Sequence, residues 1–365
     1  MPFNCVRQLN VHPESFTPLT WSSDFMKCFT VDGSGIDGLK LSERPAPVPG
    51  RGEVVVDVRA VSLNFRDLMV AKGQYGPGGD EPIIAASDMA GVVAAVGDGV
   101  TALAPGDRVV NAPFRFWPAG RLQSDWSRTF VGGAGVDGVL AEQVSYPDHA
   151  LLPVPANYSF AEASTLTIAG LTAWSGLITH GRARTGEWAL LHGTGGVSIF
   201  AAQLAQAFGI QTIVTTANAE KAAIVKENYG VAHTVNYRDD DWPEQVKALT
   251  GGGVNVVLDV AGGQTFANSL QACTANARIA LIGVLDGVEA TIDTVGIIMR
   301  RLSVQGIMME SMQEFRDFVR ACETLDLRPC INRTFGFDES AAAYRYLESQ
   351  EHIGKVVIEL DSRLE

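Results

Sequence analysis

An α/β protein built from two units is predicted: a compact, partly open β-barrel, followed by a doubly wound parallel sheet. Three observations predict it. Between Phe25 and about Leu152, short valine-rich runs are broken by Gly, Pro and Asp at strand-sized intervals. From about Trp188, strand-like and helix-like runs alternate at the spacing of βαβ units. At the start of that second region, WALLHGTGGVSIFAAQLAQAFG (Trp188 to Gly209) reads as an apolar strand, a glycine turn and an amphipathic helix.

The elements follow in chain order. EVVVDVRAVSLN alternates and is rich in valine, while MAGVVAAVG and GDRVVNAP are short apolar runs between turn signals such as PVPGRGE and APGD. In LPVPANYSFAEASTL the two prolines break the β pattern, and Ser159 is placed to cap a helix that begins near Phe160. WALLH, TIVTT, HTVNY, VNVVLDV and RIALIGV are the strand candidates of the second unit. Helices are expected at Val197–Phe208 and Ala219–Tyr229. After about Asp326 the chain ends in a strand with alternating apolar residues that can return to the first unit. The expected division is 1–152, 153–326 and a returning segment 327–365.

Composition narrows the partners. The 365 residues suffice for two domains, and 46% are apolar. A net charge of −13 argues against nucleic acid and anionic membranes, because phosphate backbones and headgroups require a basic surface. A small-molecule ligand held by one or two local cations is compatible with it. Cys5, Cys28, Cys273, Cys322 and Cys330 show no CxxC spacing, so reduced thiols and a cytoplasmic location are expected. The first residues carry no apolar signal-like core, and no apolar run approaches a membrane span.

Gly193-Thr194-Gly195-Gly196-Val197-Ser198 supplies the Gly-x-Gly-x-x-small pattern of a Rossmann dinucleotide turn, with Ser198 as the small residue. Gly193 suits the tight turn, Gly195 lets backbone approach a pyrophosphate, and the next helix offers its N–H groups. A carboxylate that would hold a ribose 2'-hydroxyl is missing at the end of the second strand. Thr215, Thr216, Asn218 and Lys221 stand there instead, which favours NADP over NAD. The alternative is a solvated helix start. His192, before the turn, reads as a core residue, and no histidine spacing suits a metal. The aromatics Phe114, Phe116, Trp117 and Trp126 either wall an apolar pocket or cover the barrel.

PANYSFAEAS, SLNFRDLMVAKGQYG, GLTAW, the glycine turn and HIGKVVIEL together resemble the medium-chain dehydrogenase/reductase superfamily. They look most like its zinc-independent quinone oxidoreductase and alcohol dehydrogenase-like branch. The resemblance spans nearly the whole chain from Phe25. It implies a GroES-like catalytic domain, a Rossmann domain, and a homodimer joined at the sheet edges. The positions of catalytic zinc ligands in relatives hold Asn64, Ser87 and Ile168, so no metal is expected. Without a Lewis acid, hydride transfer to an enone, quinone or related carbonyl is easier than alcohol oxidation, because charge delocalises away from the reacting carbon. Asn64 and Tyr75 are the catalytic candidates, with a turn bond and plain packing as their alternatives. Arg66 reads as structural, paired with Asp67 or Asp88. Beside the glycine turn itself, the resemblance assigns cofactor contacts to Thr172, Tyr237, Ala261, Gly283, Val284, Met308 and Lys355. Two further readings stay open: a metal-free alcohol or aldehyde reductase, and a non-catalytic NADP-binding interaction protein.

Overall fold

Valine-rich segments of the first half pair into two antiparallel sheets in the computed structural model, which describes residues 24–75, 81–133 and 135–360. Strand β1 (Phe25–Val31) lies between β2 (Lys40–Pro45) and the short β4 (Ile83–Ile84). The larger sheet is centred on β3 (Glu53–Leu63), which pairs with β5 (Asp88–Val96) and, at its first half, with β7 (Gln143–Pro147). β6 (Arg108–Asn111) and β8 (Leu151–Pro153) continue it beyond β5. Being central, β3 is buried at nearly every position, and Val54, Val55, Val56, Val58, Ala60, Val61 and Leu63 are its apolar residues. Helix α1 (Phe65–Ala71) follows β3 directly and is capped at Asn64. The extension before residue 24, including Cys5, lies outside the described residues.

The crossover begins where the prolines end the β pattern. Ser159 caps α2 (Phe160–Ser164): its hydroxyl accepts from the Glu162 N–H, and the Glu162 carboxylate accepts from the Ser159 N–H. Irregular helical turns, Leu166–Gly170 and Ser175–Thr179, flank α3 (Leu171–Trp174) and lead into the parallel sheet.

That sheet contains β9 (Trp188–His192), β10 (Gln211–Thr215), β11 (His233–Val235), β12 (Val254–Asp259), β13 (Cys273–Leu281) and β14 (Ser303–Gly306). Their spatial order is β11-β10-β9-β12-β13-β14, all parallel. Counted within the sheet this is 3-2-1-4-5-6, the doubly wound Rossmann order. Neighbouring residues on one strand enter different cores. Leu191, Val214 and Val256 pack with α4 (Gly196–Ala207), while Leu190, Ile213 and Val257 pack with Trp242 and Val246 of a helix on the other side. Both faces are therefore covered, which is why these strands read as continuous apolar runs. α5 (Ala219–Asn228) connects β10 to β11.

The C-terminal segment joins the first half. β16 (Lys355–Glu359) pairs antiparallel with β3, and β15 (Ile331–Gly336) pairs parallel with β16. Two features of this topology matter for a site. The strand order reverses between β9 and β12, which opens a crevice at their carboxyl ends. The β3–β16 pairing carries the start of β16 to the same end. Among the described residues, no helix is long and apolar enough to cross a membrane.

Candidate functional site

The turn after β9 is shaped by its glycines. Gly193 takes φ 70°, a left-handed conformation that glycine adopts without strain, and its N–H donates to the Thr215 carbonyl at 2.9 Å. Gly195 is extended and caps α4 without a side-chain hydrogen bond. A Cβ built on Gly195 meets no heavy atom within 4 Å. The space above that backbone and the first N–H groups of α4 are what a pyrophosphate requires. Ser198 donates to the His192 carbonyl at 2.6 Å and is buried, which explains a hydroxyl at the third position of the motif.

Gly196 has the opposite surroundings. A Cβ there would come within 2.5 Å of Lys355 Cδ and 3.0 Å of Ala169 Cβ. The Lys355 stem thus runs across the turn. The Gly354 N–H also donates to the Thr194 carbonyl at 2.8 Å, so the glycine turn is fastened to the segment that opens β16.

The Lys355 ammonium is buried and donates to the Leu63 carbonyl at 2.6 Å and to Asn64 Oδ1 at 2.5 Å. Asn64 Nδ2 donates to Asp88 Oδ2 at 2.9 Å, and the Ile168 N–H donates to that oxygen at 3.2 Å. Asp88 is fully buried, and its Oδ1 has no partner among the described residues. Burial pushes the Asp88 carboxyl up to about 7, against the pull of the Lys355 charge. Burial pushes Lys355 down, against Asp88 and Asp67. Asp67 accepts from the Asn64 N–H at 2.8 Å and from the Ser87 hydroxyl at 2.9 Å.

Arg66 is structural. It pairs with Asp67, donates to the Val131 and Gly132 carbonyls, and lies over the rings of Phe130 and Tyr75. Tyr75 packs beside Phe130 and Arg66 at the edge of residues 76–80, which lie outside the described set. Of the aromatics that could wall a pocket, Phe114, Trp117 and Trp126 pack on one another or on Phe130; only Phe116 is exposed.

The expected cofactor contacts cluster at the carboxyl ends of the parallel strands, but several hydroxyls and amides are already engaged. Thr215 is turned inward: its Oγ1 bonds His192 Nδ1 at 3.0 Å and accepts from the Gly193 N–H at 3.4 Å. Asn218 caps α5 by accepting from the Lys221 N–H at 3.0 Å, and Thr216 accepts from the Asn218 N–H at 3.2 Å. Lys221 Nζ donates to the carbonyls of Gln350 and His352 at 2.6 and 2.9 Å. The Thr215 hydroxyl is therefore held within the sheet layer beside β9. Tyr237 is exposed just after β11. The Ala261 N–H donates to Asp259 Oδ1 at 3.0 Å, the Gly283 N–H donates to the Asp259 carbonyl at 3.2 Å, and Val284 is exposed. Met308 follows β14 against the core, Val197 lies in the first turn of α4, and Thr172 is buried on α3, which packs on α4. His192 is a satisfied core residue, bonded to Thr215 and, at 2.7 Å, to Ser269.

The Lys355–Asn64–Asp88 array was not foreseen as a unit. Its signal was a lysine opening an otherwise apolar, buried strand, GKVVIEL.

Known proteins are similar to this chain in sequence and fold. The model of the alcohol dehydrogenase GroES-like domain matches residues 50–156, and that of zinc-binding dehydrogenase matches 196–324. A zinc-type alcohol dehydrogenase-like protein of Schizosaccharomyces pombe is 36% identical over 337 residues, 90% of this chain and 97% of that protein. The acryloyl-coenzyme A reductase of Sulfurisphaera tokodaii is 28% identical, covering 91% and 99%. A solved structure from Sinorhizobium meliloti 1021, assigned as an alcohol dehydrogenase, superposes with TM-score 0.86 at 38% identity, covering 92% and 99%. A mycobacterial protein complexed with NADPH gives TM-score 0.78 at 26% identity, covering 92% and 99%.

Proposed function

Because the chain belongs to the medium-chain dehydrogenase/reductase superfamily of oxidoreductases, we propose that it is an NADP(H)-dependent, zinc-independent reductase of an enone, quinone or related carbonyl. The observation that carries this reading is the contact between the glycine turn and the buried polar array. One side chain, Lys355, lies on Gly196 and ends on Asn64. A cofactor on the turn and a carbonyl near Asn64 would therefore meet across a short distance.

Zinc does not fit the residues present. Asn64 offers an amide that is bonded on both sides, Ser87 turns its hydroxyl to Asp67, and Ile168 contributes only a backbone N–H. No group of three or more His, Cys, Asp or Glu side chains among the described residues could hold a metal ion.

The turn does fit a dinucleotide. Gly193, Thr194, Gly195, Gly196 and Val197 would hold the pyrophosphate, with the N–H groups of α4 donating to it. When bound, the reduced nicotinamide supplies the hydride. Lys221, Tyr237, Thr216 and Asn218 surround the expected 2'-phosphate, and the absence of a carboxylate at the end of β10 supports NADP. Thr172, Ala261, Gly283, Val284 and Met308 would border the adenosine and nicotinamide portions. Asn64 donates to the substrate oxygen as negative charge gathers there, and Tyr75 walls the same cleft.

The domain division 1–152, 153–326 and 327–365, and a homodimer, belong to the same reading. Exposed Val295, Ile298 and Met299, on the helix that precedes the edge strand β14, support the dimer. A metal-free alcohol or aldehyde dehydrogenase-reductase is the second reading; the name of the S. meliloti relative supports an alcohol as its substrate. The test is NADPH consumption with enones, quinones, saturated aldehydes and alcohols, with and without a strong chelator. Turnover of enones or quinones that is insensitive to chelator is expected. Activity confined to alcohols, or lost on chelation, would overturn the proposal.

A further inference from the structure

The Asn64 amide is held from both sides by groups that leave it one orientation. An ammonium has only donors, so Lys355 must face Oδ1. Asp88 Oδ2 already accepts the Ile168 N–H, so it meets the amide as an acceptor and must face Nδ2. The two distances are 2.5 and 2.9 Å. Nδ2 carries two protons. One goes to Asp88, and the other has no acceptor among the described residues. The backbone N–H of Asn64 is spent on Asp67, so the residue cannot swing away without breaking the cap of α1.

We infer that Lys355 is a positioning residue: with Asp88 it locks the Asn64 amide so that the second Nδ2 proton is presented to the substrate oxygen. The inference rests on the proposed reductase reading and deepens it. The same lysine also sets register, because its stem packs on Gly196 at the cofactor turn. Movement of the turn therefore moves the clamp on the amide. A buried ion array of this kind is expensive to keep for stability alone, since apolar replacements of buried ion pairs are often neutral or stabilising. An array that fixes the polarity of a catalytic amide has a reason to persist. Asp67 of α1 also faces it, paired in turn with Arg66, and the His352 imidazole lies near Lys355.

Removing Lys355 alone would strand the Asp88 charge, so the test uses the pair Lys355→Met with Asp88→Asn, which removes both charges together. Circular dichroism and NADPH titration establish that the double variant is folded and binds cofactor. We expect kcat for the enone to fall at least tenfold, with the dissociation constant of NADPH within about threefold of wild type. Lys355→Arg, which keeps the cation, should retain more kcat than the double variant. A folded double variant with wild-type kcat would overturn the inference.

A second readout does not depend on turnover. In cofactor-free protein, the side-chain amide signals of Asn64 are identified by their loss in Asn64→Ala. In wild type, one Nδ2 proton should be protected from exchange. In the double variant the protection should be lost. Two unprotected Nδ2 protons in wild type would refute the clamp even if the protein proved to be no enone reductase.

Discussion

Gly195 and Gly196 are adjacent, yet the structure assigns them different work, and substituting each by valine separates cofactor binding from folding. Gly195 has φ −77°, which any residue tolerates, and a Cβ there finds open space. Gly195→Val replaces a neutral helix cap by a poor one, so the fold should lose only about 1 kcal/mol. For a chain of this size that is a fall in Tm of about 1–3 °C. The valine side chain would, however, fill the space proposed for the pyrophosphate. Excluding it forfeits at least two charge-assisted N–H bonds of about 1.5 kcal/mol each, or roughly a hundredfold in affinity. Gly196→Val reverses the pattern. Its Cβ begins 2.5 Å from Lys355 Cδ and 3.0 Å from Ala169 Cβ, and such overpacking costs about 1–3 kcal/mol before any ligand is added. Thermal unfolding followed by circular dichroism, with fluorescence titration of NADPH, measures both effects. If Gly195→Val binds NADPH as tightly as wild type, the phosphate does not lie on this turn and the reasoning fails.

Three further outcomes are expected. Lys221→Ala should weaken NADPH about tenfold and leave NADH nearly unchanged, because only the former carries a 2'-phosphate; equal losses in parallel titrations would remove Lys221 from that role. Burial, with Lys221 and Lys355 nearby, holds His352 down at about 4. Since the unfolded imidazole takes up its proton near 6.5, the folded state binds fewer protons between these values. The contribution, on the order of 3 kcal/mol, is complete above 6.5 and lost as pH falls through about 4, so His352→Gln should flatten the fall in Tm between pH 6.5 and 4.5. An unchanged slope would show that His352 is not the group concerned. Light scattering at micromolar concentration should give a dimer mass, and a monomer mass would contradict pairing through the β14 edge.

The parallel sheet was legible because burial on both faces makes β9, β10 and β12 continuous apolar runs, punctuated by glycine at Gly193 and Gly209. Ser159 was legible as a cap because its partner Glu162 is three residues away. The buried array was not, since Lys355 and Asn64 lie 291 residues apart and meet only when β16 pairs with β3. The surroundings of the Thr215 hydroxyl were not legible for a related reason. Its partner His192 sits on the neighbouring strand, and strand register is invisible in a single sequence. Lys221 likewise finds carbonyls 129 and 131 residues away, on a loop whose position no local pattern reports.

Hydride transfer itself is the most direct measure of the central claim. NADPH deuterated at nicotinamide C4 should be incubated with an enone that turns over, in the presence of chelator, and the product read by NMR. Deuterium at the carbon β to the carbonyl, at an undiminished rate, is the predicted result. Deuterium at the carbonyl carbon, or no transfer until zinc is supplied, would contradict a metal-free reductase of conjugated carbonyls.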